Sequence, residues 1–400
     1  MATQSTYRLI LALIILLAVT LVLVTFGQVR FFPGADEGCY LRYAAYIAEK
    51  GLSGFSAIFQ GFVQDEAHWF NPNPLRVGFI MLSAAWLKIA GYSFINLAFL
   101  SLFSYALFLG FSYYFARKYL GEQLALLLVI LLAFSPLQMA MARRALMEST
   151  LNLFSILSIW LFWDYLKNRG RLKFILFVAV YIGSILIKET SVLLVIVFLL
   201  YFLAERFIYG KKTGLKAITA LLFLPLIFTG LAYLALGCFP YMSDTLKILF
   251  GHPQPASYAT LFCSGPWYRY LIDYMLLSPW VVILAIGFIF SFFLQREEDA
   301  LALYFIFVFL LTFILFSVFM KNVRYVIILD TPLRLFSLLM LNSLARRVCP
   351  RQGHMKLTFV LVMVLVLFDC FNFYNLFIAK GIYDPTSFFL LKAKQIIPFN

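Results

Sequence analysis

Two adjacent carboxylates, Asp36 and Glu37, are the first residues along the chain equipped for chemistry. They stand in Phe31-Phe32-Pro33-Gly34-Ala35-Asp36-Glu37-Gly38-Cys39-Tyr40, just after a long apolar run that Pro33 and Gly34 bring to an end. From Tyr40 to Lys50, Leu41, Ala44, Ala45 and Ala48 recur at helical spacing, which predicts a short amphipathic helix stopping at Gly51. The acidic pair would then lie at a helix N-terminus, where the dipole favours ionised carboxylates. A carboxylate there can take a proton from a hydroxyl group. The plainer alternative is that one of the two only caps the helix.

Three further groups of polar residues break apolar sequence. Ala142-Arg143-Arg144-Ala145-Leu146-Met147-Glu148-Ser149 places two cations five and four residues before an acid that opens the next apolar run. Glu148 suits a first helical turn, and the arginines suit a membrane interface, whatever else they do. Lys188, in Ile185-Leu186-Ile187-Lys188-Glu189-Thr190, interrupts what would be one run from Phe174 to Phe202. An ammonium in so short a hairpin stays near the membrane surface, where it can meet a phosphate or snorkel beside Glu189. Lys321-Asn322-Val323-Arg324-Tyr325 precedes Pro332; Arg324 could clamp a phosphate through two N–H groups, or form a basic and aromatic boundary with Tyr325. Arg334 falls inside a predicted span, a costly position that usually faces a cavity.

The elements that must position these residues are membrane helices. Of 400 residues, 64% are hydrophobic and only 12% charged, and Phe occurs 46 times. A soluble globule of this size cannot bury so much apolar surface. That excludes soluble enzymes, nucleic-acid modules, secreted disulfide scaffolds and disordered chains. The net charge of +14 is that of a membrane protein with basic loops, with no nucleic-acid partner implied. Apolar runs near 7–29, 93–115, 122–141, 149–166, 172–188, 190–209, 215–237, 271–294, 300–320, 325–343 and 357–379 predict an all-α polytopic protein of about 11 transmembrane helices. The first run is read as a retained signal anchor.

The short stretch 75–90 carries Arg76 and Lys88 and would make a twelfth span if it crossed. Left out, with a cytoplasmic N-terminus, it gives cytoplasmic hairpins 117–123, 167–173, 206–216, 295–299 and 346–356 holding fifteen Lys and Arg, against seven in the opposite loops after the first. The positive-inside rule therefore predicts 11 spans with 75–90 interfacial. The chain divides as one transmembrane domain, 1–400: first external loop 30–92, core spans 93–237, external loop 238–270, C-terminal spans 271–379 and external tail 380–400.

The order of these features resembles the GT-C glycosyltransferases, in particular bacterial relatives of dolichyl-phosphate-mannose protein mannosyltransferases and aminoarabinose transferases (glycosyltransferase family 39 type). The resemblance rests on Asp36-Glu37-Gly38-Cys39-Tyr40 up to Gly51, on Asn71-Pro72-Asn73-Pro74-Leu75 before a short helix ending at Gly91, on Arg143 to Glu148, on Lys188, and on Arg324-Tyr325 before Pro332. Asn73 replaces one of two adjacent prolines, Arg76-Val77-Gly78 is unusual, and Glu148 stands where many relatives have Asp. Gly381-Ile382-Tyr383-Asp384-Pro385-Thr386 resembles the outer tail of some bacterial members and is assigned no chemistry.

The resemblance implies a GT-C-like bundle with interfacial helices in the first external loop. It implies transfer of a sugar from a polyprenyl-phosphate donor to an acceptor hydroxyl, with inversion, at the outer (periplasmic) face of a bacterial inner membrane. Asp36 would be the base. Glu37 and Glu148 would orient the sugar or acceptor. Lys188, Arg324 and Arg143 would stabilise the phosphate, with Tyr40 and Tyr325 beside the substrates. No cofactor is certain: Asp36 and Glu148 leave room for a divalent cation, but no complete ligand set is visible. The acceptor would be a lipid-linked glycan, a lipid or a protein.

Two rivals use the same architecture, a transporter or flippase of lipid-linked sugars and an O-antigen-type polymerase. The first has no need of an acidic pair in a long first loop, and the second would keep its main loops later in the chain. His68, His252 and His354 show no ligand spacing. Cys238 and Cys263 share one predicted external loop, where a disulfide is an option that sequence leaves open.

Overall fold

The computed structural model describes residues 4–207, 215–251, 263–295, 299–319, 321–349, 353–386 and 389. His252, part of the loop 238–270 and most of the tail 380–400 lie outside the described residues. Those described form helices and no strand. In chain order these are α1 (Gln4–Val24), α2 (Asp36–Lys50), α3 (Gly54–Gln64), α4 (Val77–Ala90), α5 (Phe94–Leu120), α6 (Glu122–Ala133), α7 (Pro136–Ala142), α8 (Glu148–Asn168) and α9 (Arg171–Ile187). They continue as α10 (Leu194–Phe207), α11 (Leu215–Ala235), α12 (Phe239–Gly251), α13 (Arg269–Leu277), α14 (Pro279–Leu294), α15 (Ala300–Phe316), α16 (Asp330–Val348) and α17 (His354–Phe373).

Among the described residues, each apolar run read from the sequence is mostly helical. By length and apolarity alone, five helices among the described residues can cross a bilayer, or six if α6 and α7, bent by 61°, make one span. The bend falls where Ser135 caps α7 through the Gln138 amide and Pro136 opens it. The chain is thus a multi-pass membrane protein. Helix α4 has 14 residues, about 21 Å at 1.5 Å per residue, which is short of a roughly 30 Å hydrocarbon core.

Two compact units interleave in sequence. One comprises 30–104 and 144–260 and is called here the α2 unit; the other comprises 1–29, 105–143 and 261–400 and is called the α16 unit. In the α2 unit, α8 packs along α9, α4 lies on both α2 and α9, and α12 meets α3. A cluster of aromatic rings fills its interior: Phe162 stands 4.7 Å from Phe198 and 5.0 Å from both Phe177 and Phe202. In the α16 unit, α16 is the central helix, packed on α14, α17, α6 and α15. Its Ala, Ser and Leu positions are largely buried, but so are Asp330, Arg334 and Asn342, and for the first two the reason lies in their pairing.

Candidate functional site

Helix α2 starts at Asp36, so the acidic pair occupies its first turn and Ala35 is the N-cap, with no side-chain cap bond. Both carboxylates sit where the dipole favours charge, and neither caps the helix. The turn before it is pressed hard against the helix: a Cβ built on Gly38 would lie 1.8 Å from the Pro33 carbonyl oxygen. Only glycine fits there, which explains Asp-Glu-Gly as a unit.

The two carboxylates meet different surroundings. Glu37 is 1% exposed. It accepts from Arg144 Nε at 2.6 Å, the Ala145 amide at 3.2 Å and the Phe32 amide at 3.1 Å. It therefore ties the approach to α2 to the turn that leads into α8. Asp36 is half-buried.

Tyr40, one turn further on, is buried with its ring edge-on to Phe79. Its hydroxyl accepts from Arg76 Nη1 and donates to Met147 Sδ at 3.4 Å. Burial raises the Tyr40 hydroxyl pKa well above its usual range; the Asp36 and Glu148 charges add to this and Arg76 opposes it. The Asp36 and Glu148 charges thus act on one buried hydroxyl, which Arg76 holds. Glu148 is the first residue of α8 and is buried.

Arg76 reaches past Tyr40 to Glu189, Nε to Oε2 at 3.3 Å, and Asn73 Nδ2 donates to Glu189 Oε1 at 2.9 Å. Burial alone would raise the Glu189 carboxyl, but Arg76, then Lys188 and the Asn73 amide, hold it below its ordinary value. Lys188 ends α9 and is 3% exposed. Gly78 makes the arrangement possible: a Cβ there would lie 2.9 Å from the Leu186 backbone, so α4 can press against the end of α9.

Of the residues singled out in the sequence, Asp36, Glu37, Tyr40, Glu148 and Lys188 lie in the α2 unit, and Arg143, Arg324 and Tyr325 lie in the α16 unit. Arg143 is fully buried and donates from Nη2 to the Thr25 carbonyl at 2.6 Å, its guanidinium 5.7 Å from the Phe373 ring. Arg324 and Tyr325 are half-buried in a short 3-10 segment, Val323–Leu329, with the guanidinium 5.3 Å from the Tyr325 ring.

Arg334 departs from the expectation that it faces a cavity. It is fully buried and donates to Asp330 at 3.0 Å, Asp369 at 2.6 Å and Ser278 Oγ at 3.2 Å. A cation at that depth is tolerated because two carboxylates neutralise it. The tail residue Asp384, assigned no chemistry, accepts from Arg269 Nη2 through both oxygens at 3.1 Å. Cys238 and Cys263 are both buried.

Four residues of the α2 unit that the sequence motifs contain, but that were given no part in the transfer, join the site: Arg144, Arg76, Asn73 and Glu189. Two of them, Asn73 and Arg76, are where the sequence departs from the family pattern. That departure is the signal in the sequence, because both bind the one carboxylate, Glu189. Among the described residues no three of His, Cys, Asp and Glu gather as metal ligands. Asp36 and Glu148 could supply two carboxylates to a cation.

Residues 74–233 match the family model of dolichyl-phosphate-mannose-protein mannosyltransferases. The matched stretch includes Glu148, Lys188 and Glu189 but stops short of the acidic pair on one side and Arg324 on the other. The crystal structure of ArnT from Cupriavidus metallidurans in the apo state superposes with a TM-score of 0.59 at 14% identity, over 90% of this chain and 76% of that one. No curated protein matches the chain. The fold is the GT-C fold of ArnT, as the ordered sequence motifs implied.

Proposed function

We propose that the protein is a membrane glycosyltransferase that moves a sugar from a polyprenyl-phosphate donor to an acceptor hydroxyl, with Asp36 as the base. The GT-C fold and the mannosyltransferase match support the reaction class. The observation that carries the assignment is the division of labour within the acidic pair. Glu37 is buried and accepts from three protein donors, which fixes the first turn of α2, and Asp36 in the same turn is half-buried and reaches the surface.

Asp36 takes the acceptor hydroxyl proton as the oxygen attacks the anomeric carbon. The bond from that carbon to the phosphate oxygen breaks on the opposite face, so the configuration inverts, and polyprenyl phosphate leaves with the electron pair. Lys188 counters the charge that grows on the phosphate. Glu148 and Tyr40 orient the reacting groups, and Glu37 positions its neighbour. Phosphate binding by Arg143, Arg324 and Tyr325 stands on the sequence motifs alone. A lipid-linked donor reaches such a site sideways from the bilayer, and this fits a bacterial inner-membrane enzyme working at the periplasmic face on a lipid-linked glycan, lipid or protein.

The test is mass spectrometry of lipid-linked glycans and surface polysaccharide from cells lacking the protein, complemented with wild type or Asp36→Asn. Wild type should add a sugar mass. Asp36→Asn at equal expression should lower transfer about 10²–10⁴-fold, the usual worth of a general base. A fully active Asp36→Asn removes Asp36 from the mechanism and favours a transporter in which the pair only helps to order a helix.

A further inference from the structure

Helix α2 carries a second feature downstream of Asp36. At 100° per residue, Asp36, Cys39, Tyr43 and Tyr46 fall within a sector of about 80° on one side of the helix, and Tyr40 points to the neighbouring, buried side. Along the Cys39–Tyr46 part of that sector, beginning one turn after Asp36, runs a cavity of about 290 Å³, lined by Cys39, Tyr43 and Tyr46 from α2, Gly61 from α3, and His68 and Asn71 beyond it. The volume is near the lower end of small-ligand sites, roughly 300–1,000 Å³. All of it belongs to the α2 unit. From Asp36 to Tyr46 is ten residues, about 15 Å along the helix axis.

The lining is that of a sugar site. Tyr43 and Tyr46 line it with aromatic rings, which suit the C–H side of a pyranose, and the Tyr43 hydroxyl donates to the Pro72 carbonyl at 3.4 Å. Tyr46 is 37% exposed, so its ring is open to a ligand. Around it stand polar groups held in place by one another. Arg42, also on the wall, donates to the Pro33 carbonyl at 3.0 Å and the Cys39 thiol at 2.9 Å. The thiol in turn donates to Asn71 Oδ1 at 2.9 Å. Asn71 therefore meets the thiol with its oxygen, and its amide N–H groups are left to donate to a ligand hydroxyl. His68 Nδ1 is fixed 3.1 Å from the Gly61 carbonyl.

We infer that this cavity binds the saccharide part of the acceptor, so that the sugar residues behind the reacting hydroxyl lie along α2. The acceptor is then a glycan, free or lipid-linked, rather than a bare lipid or an unglycosylated protein. The identity of the ligand rests on the transferase reading; its binding does not.

The experiment uses the full-length protein in lipid nanodiscs and, as probe, oligosaccharides released by mild acid from the producing cell's own envelope glycans. Saturation-transfer difference NMR reads contact with the sugar protons. Wild type should give clear transfer. Tyr46→Ala should weaken binding about tenfold, the size of one lost aromatic contact, and Tyr46→Phe should restore it.

Gly61→Phe provides a second variant. An added Cβ there meets only the His68 ring at ordinary contact distance, 3.6 Å, so the backbone tolerates it and the new ring fills the cavity. Loss of binding in Gly61→Phe with normal nanodisc assembly supports the inference. No transfer from wild type, or undiminished transfer from both Tyr46→Ala and Gly61→Phe, overturns it. The two readings fail separately: Asp36→Asn with full transferase activity but Tyr46-dependent binding sinks the catalytic assignment and leaves the cavity, and the reverse pattern does the opposite.

Discussion

The α16 unit and the α2 unit both bury charge, and they do so differently. In the α16 unit the cluster is sealed: the Arg334, Asp330 and Asp369 side chains are 1%, 3% and 4% exposed. A second cluster there, Arg269 with Asp273 and Asp384, is 2%, 0% and 11% exposed. In the α2 unit exposure is graded. The Arg144–Glu37 pair is 9% and 1% exposed, the Arg76–Glu189 pair 14% and 27%, and Asp36, next to Glu37, is half-buried. A sealed cluster can only hold helices together. A graded one can hold helices together at its inner end and meet a substrate at its outer end.

The comparison predicts that breaking the sealed cluster damages the fold most. Arg334→Met would strand Asp330 and Asp369 in the helix interior, at a cost on the order of 5 kcal/mol. Thermal unfolding of the detergent-solubilised protein should show a large drop or no folded protein. Adding Asp330→Asn and Asp369→Asn should recover most of the loss, because no charge is then left alone. Wild-type stability in the single variant would mean that the cluster is not what holds α16 to α17.

The inner end of the graded cluster comes next. Arg144→Gln leaves Glu37 buried with two amide donors and no cation, at about 3 kcal/mol. Because Glu37 fixes the first turn of α2, sugar transfer should fall in step with stability. Transfer at the wild-type rate in a destabilised Arg144→Gln protein would separate Glu37 from the positioning of Asp36.

A smaller effect is expected at the outer end, and it depends on pH. The Glu189 carboxyl is held below its ordinary value of about 4.5 in the folded chain. The pair with Arg76 therefore contributes fully above that value, and the contribution is lost as pH falls through the lower folded value. The stability gap between wild type and Glu189→Gln, about 1 kcal/mol at neutral pH, should close below pH 4.5. A gap that stays constant to lower pH would mean that Glu189 acts by shape and not by charge.

Local features of the chain are legible in its sequence. Pro33, Gly34 and Gly51 bound a helix with an acidic pair at its start, and α2 spans that segment. The stretch 75–90 is a helix too short to cross comfortably, in keeping with its two cations. Pairing at a distance is not legible in the same way. Arg76 and Glu189 are 113 positions apart, and Arg144 and Glu37 are 107 apart. Nothing in spacing says which of two adjacent arginines turns toward Glu37; the turn between α7 and α8 sends Arg143 to Thr25 and Arg144 to Glu37. For Arg334, half the answer is local, since Asp330 is one helical turn away, but Asp369 comes from another helix.

The smallest predicted effect tests whether the departures from the family pattern form one unit. Asn73 stands where the resemblance implies a proline, and its side chain bridges two partners, donating to Glu189 and accepting from the Leu75 amide at 3.1 Å. Neither bond is available to proline, and the Glu189 bond has meaning only while Glu189 is present. Asn73→Ala should therefore cost about 1 kcal/mol in the wild-type background. In a Glu189→Ala background it should cost less, because only the local bond to Leu75 remains to be lost. A double-mutant cycle on thermal stability would give the difference, expected at roughly 0.5–1 kcal/mol of coupling. Strict additivity would mean that Asn73 serves the turn before α4 alone, and that the tie from that turn to Glu189 runs through Arg76.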